Sequence, residues 1–312
     1  MPEKRIGNYL LPPGIDIFER GWLSANNIFI FGEDDVSLVD TGYCVHQQMT
    51  VDLVSNALEQ HGLKTLNKVI NTHLHSDHCG GNAALLEQFD CEIWIPEAEG
   101  VAVQNWDESL LSFQQLGQEC PRFRHHALLV PGEEIILGPY RWQILAAPGH
   151  DNHSIMLYQE QHQILISADA LWEEGFGVIF PELWGDGGFE EVAQTLELIE
   201  GLSVALVIPG HGKPFTDVKK SIETAKSRLD YLSSDADRNA RHGAKVLLKY
   251  KLLEWRNQEL AKVNQWISDT PVLESIRQQL HLGAEEFQAW LMQALVKSKA
   301  ATIEKGCLVN LD

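Results

Sequence analysis

Thr72-His73-Leu74-His75-Ser76-Asp77-His78-Cys79-Gly80-Gly81 is the stretch on which the reading of this chain turns. Four side chains that are costly to bury, His73, His75, Asp77 and His78, fall within six residues. Imidazole nitrogen and carboxylate oxygen are the usual donors to zinc and related divalent ions. In extended backbone alternate residues face the same way, so His73 and His75 share a direction. Asp77 and His78, around the following turn, face a second point nearby, so one short loop can supply two metal positions. Gly80-Gly81 follows at once, and a residue without a Cβ lets backbone come close to a site. Cys79 precedes that glycine pair and reads as a packed thiol.

The loop grows directly out of Lys68-Val69-Ile70, a buried-strand pattern. Upstream, Ile15–Phe18, Asn27–Phe31 and Val36–Val39 are short β-rich runs, with Gly32-Glu33-Asp34-Asp35 turning the chain between the last two. Residues 45–61 carry a helical pattern closed by Gly62, residues 82–89 a short helix, and residues 92–95 a strand. The order then repeats, with strands at 134–137, 142–147, 154–158 and 163–167, a helix at 189–200 and a buried strand at 204–208. Two β-rich halves, each followed by helices, predict a four-layer αββα sandwich. Three more candidate ligands sit just after predicted strands: His150 in Ala147-Pro148-Gly149-His150, Asp169 in Ser167-Ala168-Asp169, and His211 in Pro209-Gly210-His211-Gly212. Loops at strand ends are where a rigid sheet presents an active site.

From Lys219 onward the pattern is helical almost throughout. Thr270-Pro271 starts a shorter helix to about residue 281, Gly283 breaks it, residues 284–300 form another, and residues 301–311 suit a hairpin turning at Lys305-Gly306. That order resembles a winged helix. The expected division is a catalytic domain at 1–219 and a helical extension at 220–312.

The spacing His-x-His-x-Asp-His-x-Gly-Gly over residues 73–81, with Leu38-Val39-Asp40-Thr41-Gly42 before it and His150, Asp169 and His211 after it, is similar to the motif set of the metallo-β-lactamase superfamily. The resemblance covers residues 1 to about 215 and implies the αββα sandwich of that superfamily. It implies one metal on His73, His75 and His150, a second on Asp77, His78 and His211, and Asp169 bridging both. Asp40 would hydrogen-bond a ligand or the loop that carries it. Two metals roughly 3.5–4 Å apart lower the pKa of a shared water and polarise a carbonyl or phosphoryl oxygen. A hydroxide between them would then attack, with Asp77 orienting it and passing its proton to the leaving group. The expected ions are divalent, zinc first, with manganese or iron as alternatives.

The superfamily holds thioesterases such as glyoxalase II, lactonases, β-lactamases, dioxygenases and nucleases, so fold alone does not name a substrate. Pro209-Gly210-His211-Gly212 stands where glyoxalase II usually carries Cys-Gly-His-Glu, and Asp151-Asn152-His153 looks closer to β-lactamase-like proteins that end in a winged helix. The expectation is hydrolysis of a small ester-like bond, a thioester first and a lactone next. The competing readings are a winged-helix-bearing nuclease and a sulfur dioxygenase with a single iron. His153 is a candidate substrate contact, and Trp172, Phe176 and Phe180 form an aromatic segment expected to wall the pocket. His125 and His126 read as solvated.

Net charge argues against nucleic acid as a partner. The chain of 312 residues carries a formal −20, with 10 Lys+Arg against 32 Asp+Glu in residues 1–219 and 14 against 12 in residues 220–312. A body at −22 repels polyanions. No apolar run reaches the roughly 18–20 residues a membrane span needs. The five scattered cysteines, with no Cys-x-x-Cys pair, suit reduced thiols in the cytoplasm. A small-molecule substrate is the expected partner, with self-association open.

Overall fold

The structure, a computed structural model, describes residues 4–311. A short hairpin, β1 (Arg5–Ile6) and β2 (Tyr9–Leu10), precedes β3 (Ile15–Phe18), β4 (Asn27–Phe31) and β5 (Val36–Val39). Helix α1 (Gln47–Gln60) leads to β6 (Lys68–Ile70), then α2 (Ser76–Cys79), α3 (Asn82–Gln88), β7 (Glu92–Pro96), α4 (Gly100–Asn105) and β8 (Ala127–Leu129). Strands β3 to β8 form one sheet in sequence order, antiparallel at β3–β4–β5 and parallel from β5 to β8. The second half supplies β9 (Glu134–Leu137), β10 (Tyr140–Ala146), β11 (Ile155–Gln159), β12 (Ile164–Ala168), α5 (Phe189–Gly201) and β13 (Leu206–Pro209). Its sheet runs β13-β12-β11-β10-β9, with β13 parallel to β12.

Both faces of each sheet are covered, which is why the central strands are apolar without alternation. Ile28 and Ile30 of β4 face Ile155 and Leu157 of β11 between the sheets. Phe29 and Phe31 point the other way, onto Val54 and Leu58 of α1. Met156 and Tyr158 turn outward onto Val192 and Leu196 of α5 and Ile222 and Ala225 of α6 (Val218–Ser233). Helix, sheet, sheet, helix is the four-layer order read from the sequence.

After α6 come α7 (Ala236–Trp255), β14 (Asn257–Glu259), α8 (Leu260–Asp269), α9 (Pro271–Gln279), α10 (Ala284–Lys297), β15 (Ala301–Glu304) and β16 (Cys307–Asn310). The last strands make a small sheet, β14-β16-β15. Leu247, Leu248, Val263, Ile276 and Leu291 bury together with Leu116, Val178, Phe180 and Leu183, so the helical segment shares a hydrophobic core with the body. The change of charge near residue 220 falls inside α6, a helix of the body's outer layer. Three elements depart from the expected pattern. The helix expected from residue 45 opens with a 3-10 turn at Cys44–His46. Arg256, in left-handed conformation (φ 63°), stops α7, and pairing with β16 draws Asn257–Glu259 into a strand. Lys299, also left-handed (φ 61°), ends α10 early. Among the described residues no helix is long and apolar enough to cross a membrane.

Candidate metal centre

Strand direction gathers the polar residues. Strands β5 and β6 are parallel, and Asp40 and the 72–78 loop leave their carboxyl ends. Strand β10 is antiparallel to β11, which is antiparallel to β12, so β10, β12 and β13 all run the same way. Their carboxyl ends release His150, Asp169 and His211. Five short loops therefore open on one edge of the sandwich.

Seven side chains meet there. His75 Nδ1 lies 2.8 Å from His150 Nε2 and 3.1 Å from His73 Nε2. Asp169 Oδ2 stands 3.3 Å from His150 Nε2, 3.5 Å from His78 Nε2 and 3.9 Å from His211 Nε2. Asp77 Oδ2 is 3.0 Å from His211 Nε2 and 3.9 Å from His78 Nε2. Donor atoms of His73, His75 and His150 form one compact group, those of Asp77, His78 and His211 another, and those of His73, His78 and Asp169 a third that overlaps both.

The donor chemistry fits a pair of cations. His150 donates from Nδ1 to the Val178 carbonyl at 2.6 Å, so its Nε2 carries a lone pair, yet that nitrogen faces the carboxylate of Asp169. His78 Nε2, the nitrogen turned to Asp169 and Asp77, is buried without a hydrogen-bond partner among the described residues. An unpartnered buried nitrogen is costly, and a cation held between it and the facing carboxylates removes the cost. Burial, reinforced by His78 and the other imidazoles around it, drives His73 well below the ordinary imidazole range. Burial alone dominates at His75 and His150 and brings each down to about 4. All three stay neutral and keep their lone pairs near neutral pH. Burial also opposes charge on His78, but Asp40, Asp169 and Asp77 outweigh it and raise that ring well above its usual value. Burial opposes ionisation of Asp169 as well, and His78 and His211 nonetheless hold it well below the carboxylate range.

Surrounding groups hold the loops. Asp40 accepts from the Thr72 N–H at 2.9 Å, the Thr72 hydroxyl at 2.8 Å and His78 Nδ1 at 2.8 Å. Asn26 donates through Nδ2 to the carbonyls of Pro209 and Gly212, and its N–H bonds the Gly210 carbonyl, which clamps the His211 loop. Gly80 and Gly81 allow their helix to lie against the Thr41–Cys44 backbone, where a Cβ on Gly81 would stand 2.5 Å from the Thr41 carbonyl oxygen. A Cβ on Gly210 would stand 2.3 Å from Asp169 Oδ1 and 2.9 Å from His78 Cε1.

The expected pocket wall divides. Trp172 donates from Nε1 to Asp169 Oδ1 at 3.2 Å and meets the His211 ring edge-on at 5.5 Å. Phe180 meets His75 edge-on at 5.1 Å and His150 at 5.5 Å. Phe176 does not line the site: it is buried with Leu171, Ile179, Val192 and Leu196 on the outer face of the second sheet, under Arg228. The segment is irregular, so no period separated its inward aromatics from its outward ones. His153 sits at the rim, bonded through Nδ1 to Glu99 at 2.8 Å, and does not join the seven. His126 is not simply solvated, because its Nδ1 accepts from the Ile93 N–H at 2.9 Å and ties the end of the 121–126 loop to β7. Cys79 is fully buried, its thiol donating to the His75 carbonyl. Sequence reasoning passed over Trp22, an exposed indole stacked on His211 at 5.6 Å, as well as Asn26 and Glu99. The pair Asn26-Asn27 at the start of β4 was the only signal for Asn26.

Known proteins share the sequence pattern and the fold. Residues 20–211 match the family model described as the metallo-beta-lactamase superfamily. The chain is 28% identical over 204 residues, 61% of its length and 88% of the relative's, to a Methanocaldococcus jannaschii protein named "probable metallo-hydrolase". It is 26% identical over 166 residues, 53% of each chain, to a hydroxyacylglutathione hydrolase of Bdellovibrio bacteriovorus. A metallo-beta-lactamase family protein from Thermus thermophilus superposes with a TM-score of 0.57 at 18% identity, covering 96% of this chain and 99% of that one. The chain belongs to the metallo-β-lactamase superfamily and is a metal-dependent hydrolase.

Proposed function

We propose that the protein cleaves a small ester-like bond, a thioester first and a lactone next, with two divalent ions held by His73, His75 and His150 on one side and by Asp77, His78 and His211 on the other. Zinc is the first candidate and manganese or iron the alternatives. The carrying observation is Asp169 Oδ2, which stands within 3.3–3.9 Å of His150, His78 and His211 and so suits a shared ligand. Bound ions of this kind activate water and polarise a carbonyl oxygen. Asp77, whose carboxyl stays low because His78 and His211 outweigh its burial, is the group we assign to accept the proton of the attacking water and return it to the leaving thiol or alcohol. Trp172 fixes the free oxygen of Asp169, and Phe180 and Trp22 shield the imidazoles from solvent. The helical segment after residue 219, in winged-helix order, serves on this reading as an outer wall of the substrate cleft. The hydroxyacylglutathione hydrolase among the relatives acts, by its name, on a thioester and supports the choice of bond. A panel of thioesters, lactones and RNA, run with and without chelator, tests the proposal. It expects thioester turnover that chelation abolishes; cleavage of RNA with no turnover of either ester class would overturn it.

A further inference from the structure

A cavity of about 400 Å³ opens beside the candidate metal centre. The metal-binding loops make its inner wall, with Leu74 between His73 and His75, and Asp151 directly after His150. Asp151 Oδ2 lies 3.7 Å from His75 Nε2. Across from it, Trp184 stacks at 6.2 Å on Phe180, whose ring touches His75. A substrate whose reacting bond lay at the imidazoles on this side would find the cavity open to one of its arms.

The charges there are one-sided. Glu99, Asp151 and Asp186 line the cavity, and among the described residues His153 is its single basic group, with no lysine or arginine in the lining. Glu99 holds His153 at 2.8 Å, and Asp151 lies within 4.8 Å of both, so one imidazole stands against two carboxylates and Asp186 adds a third. A second cavity, about 450 Å³, shares Ser109, Gln115 and Trp184 with the first and runs out to Pro271 and Val272 of α9. It adds Glu108 and, among the described residues, again no basic one. Carboxylates along a cleft with low-dielectric walls focus a negative potential, and an indole face attracts a quaternary ammonium.

We infer that this cleft selects substrates by charge, admitting an arm that ends in an amine or quaternary ammonium, tolerating a neutral one and rejecting an anionic one such as the carboxylates of a glutathione thioester. The inference rests on the hydrolase reading and adds the substrate class to it. Asp151, Asp186 and Glu108 set the preference, Glu99 holds His153 in the rim, and Trp184 supplies the aromatic face.

Three acetyl thioesters that differ only at the far end of the thiol arm (trimethylammonium, tert-butyl or carboxylate) provide the test. Hydrolysis is measured by kcat/KM, and binding of the matching non-hydrolysable thioethers to the metal-loaded protein by calorimetry, at low and high salt. The expected order is ammonium, then tert-butyl, then carboxylate, with about tenfold or more between the ends, narrowed by salt. Asp186→Asn and Glu108→Gln should each shrink that ratio; both residues are exposed, so neither change should disturb folding. Equal or tighter binding of the carboxylate arm, or a ratio unchanged in Asp186→Asn, overturns the inference. Binding in the expected order without hydrolysis of any thioester supports the charge selection and overturns the hydrolase reading.

Discussion

Asp40 Oδ2 accepts a hydrogen bond from His78 Nδ1 at 2.8 Å, and so decides that Nε2 is the nitrogen His78 turns to Asp169 and Asp77. The same carboxylate holds the Thr72 N–H and hydroxyl, which ties the end of β5 to the loop that carries His73 and His75. Asp40 has a left-handed backbone (φ 56°), a conformation asparagine also tolerates. An amide has only one accepting oxygen, so Asp40→Asn leaves either Thr72 or His78 without its partner. Metal affinity measured by chelator competition should fall about 10–100-fold, with the fold retained. Unchanged affinity would show that the contact does not orient the ring.

Asp169→Ala removes the one carboxylate oxygen that faces both groups of imidazoles. If the site holds the two metals proposed, the purified variant should lose one of them and more than about 100-fold in kcat/KM, beyond the usual cost of a group that only supports a ligand. Circular dichroism should stay as in the parent. Near-normal metal content and rate would contradict the assignment.

Gly210 lies where a methyl group meets Asp169 and His78 at once. Gly210→Ala should therefore act on the site, lowering activity about tenfold or more through a displaced Asp169. Its thermal midpoint should move far less than its activity. A variant with parental kinetics would mean that the loop yields without moving either ligand.

His242 offers a pH test away from the metal ligands. Burial, then Arg228 and Lys245, lowers its pKa from 6.5 to about 3, and Arg228 Nη2 donates to its Nε2 at 2.7 Å. The folded state thus resists a proton that the unfolded chain takes up near 6.5. This group's stabilising contribution is complete above that pH and is lost as pH falls toward about 3. Between pH 7 and 4 the thermal midpoint should fall, and His242→Gln, compared in the same metal state, should show a shallower slope. Identical slopes would contradict the neutral, buried state of His242.

The candidate metal-binding loop was legible because its chemistry is local. His73, His75, Asp77 and His78 declare themselves by spacing, and His150, Asp169 and His211 by standing just after strand patterns. The four layers followed from buried strands alternating with amphipathic helices. Illegible features depend on partners distant in the chain. Asn257–Glu259 becomes a strand only beside β16. Trp22 reaches the site only because the fold lays its turn over His211. Phe176 and Phe180 lie four residues apart in one irregular segment, and only packing sends the first into the core and the second against His75. Glu99 is a buried acid whose meaning depends on His153, a residue of the other half of the sandwich.

The most direct test of the central claim is the metal content of the purified protein, measured by elemental analysis together with activity. Seven donors in two groups joined by Asp169 predict close to two divalent ions per chain. Chelation should remove both and abolish thioester hydrolysis, and added zinc or manganese should restore it. A single, well-occupied iron per chain with oxygen-consuming activity, and no gain from a second ion, would contradict the two-metal hydrolase.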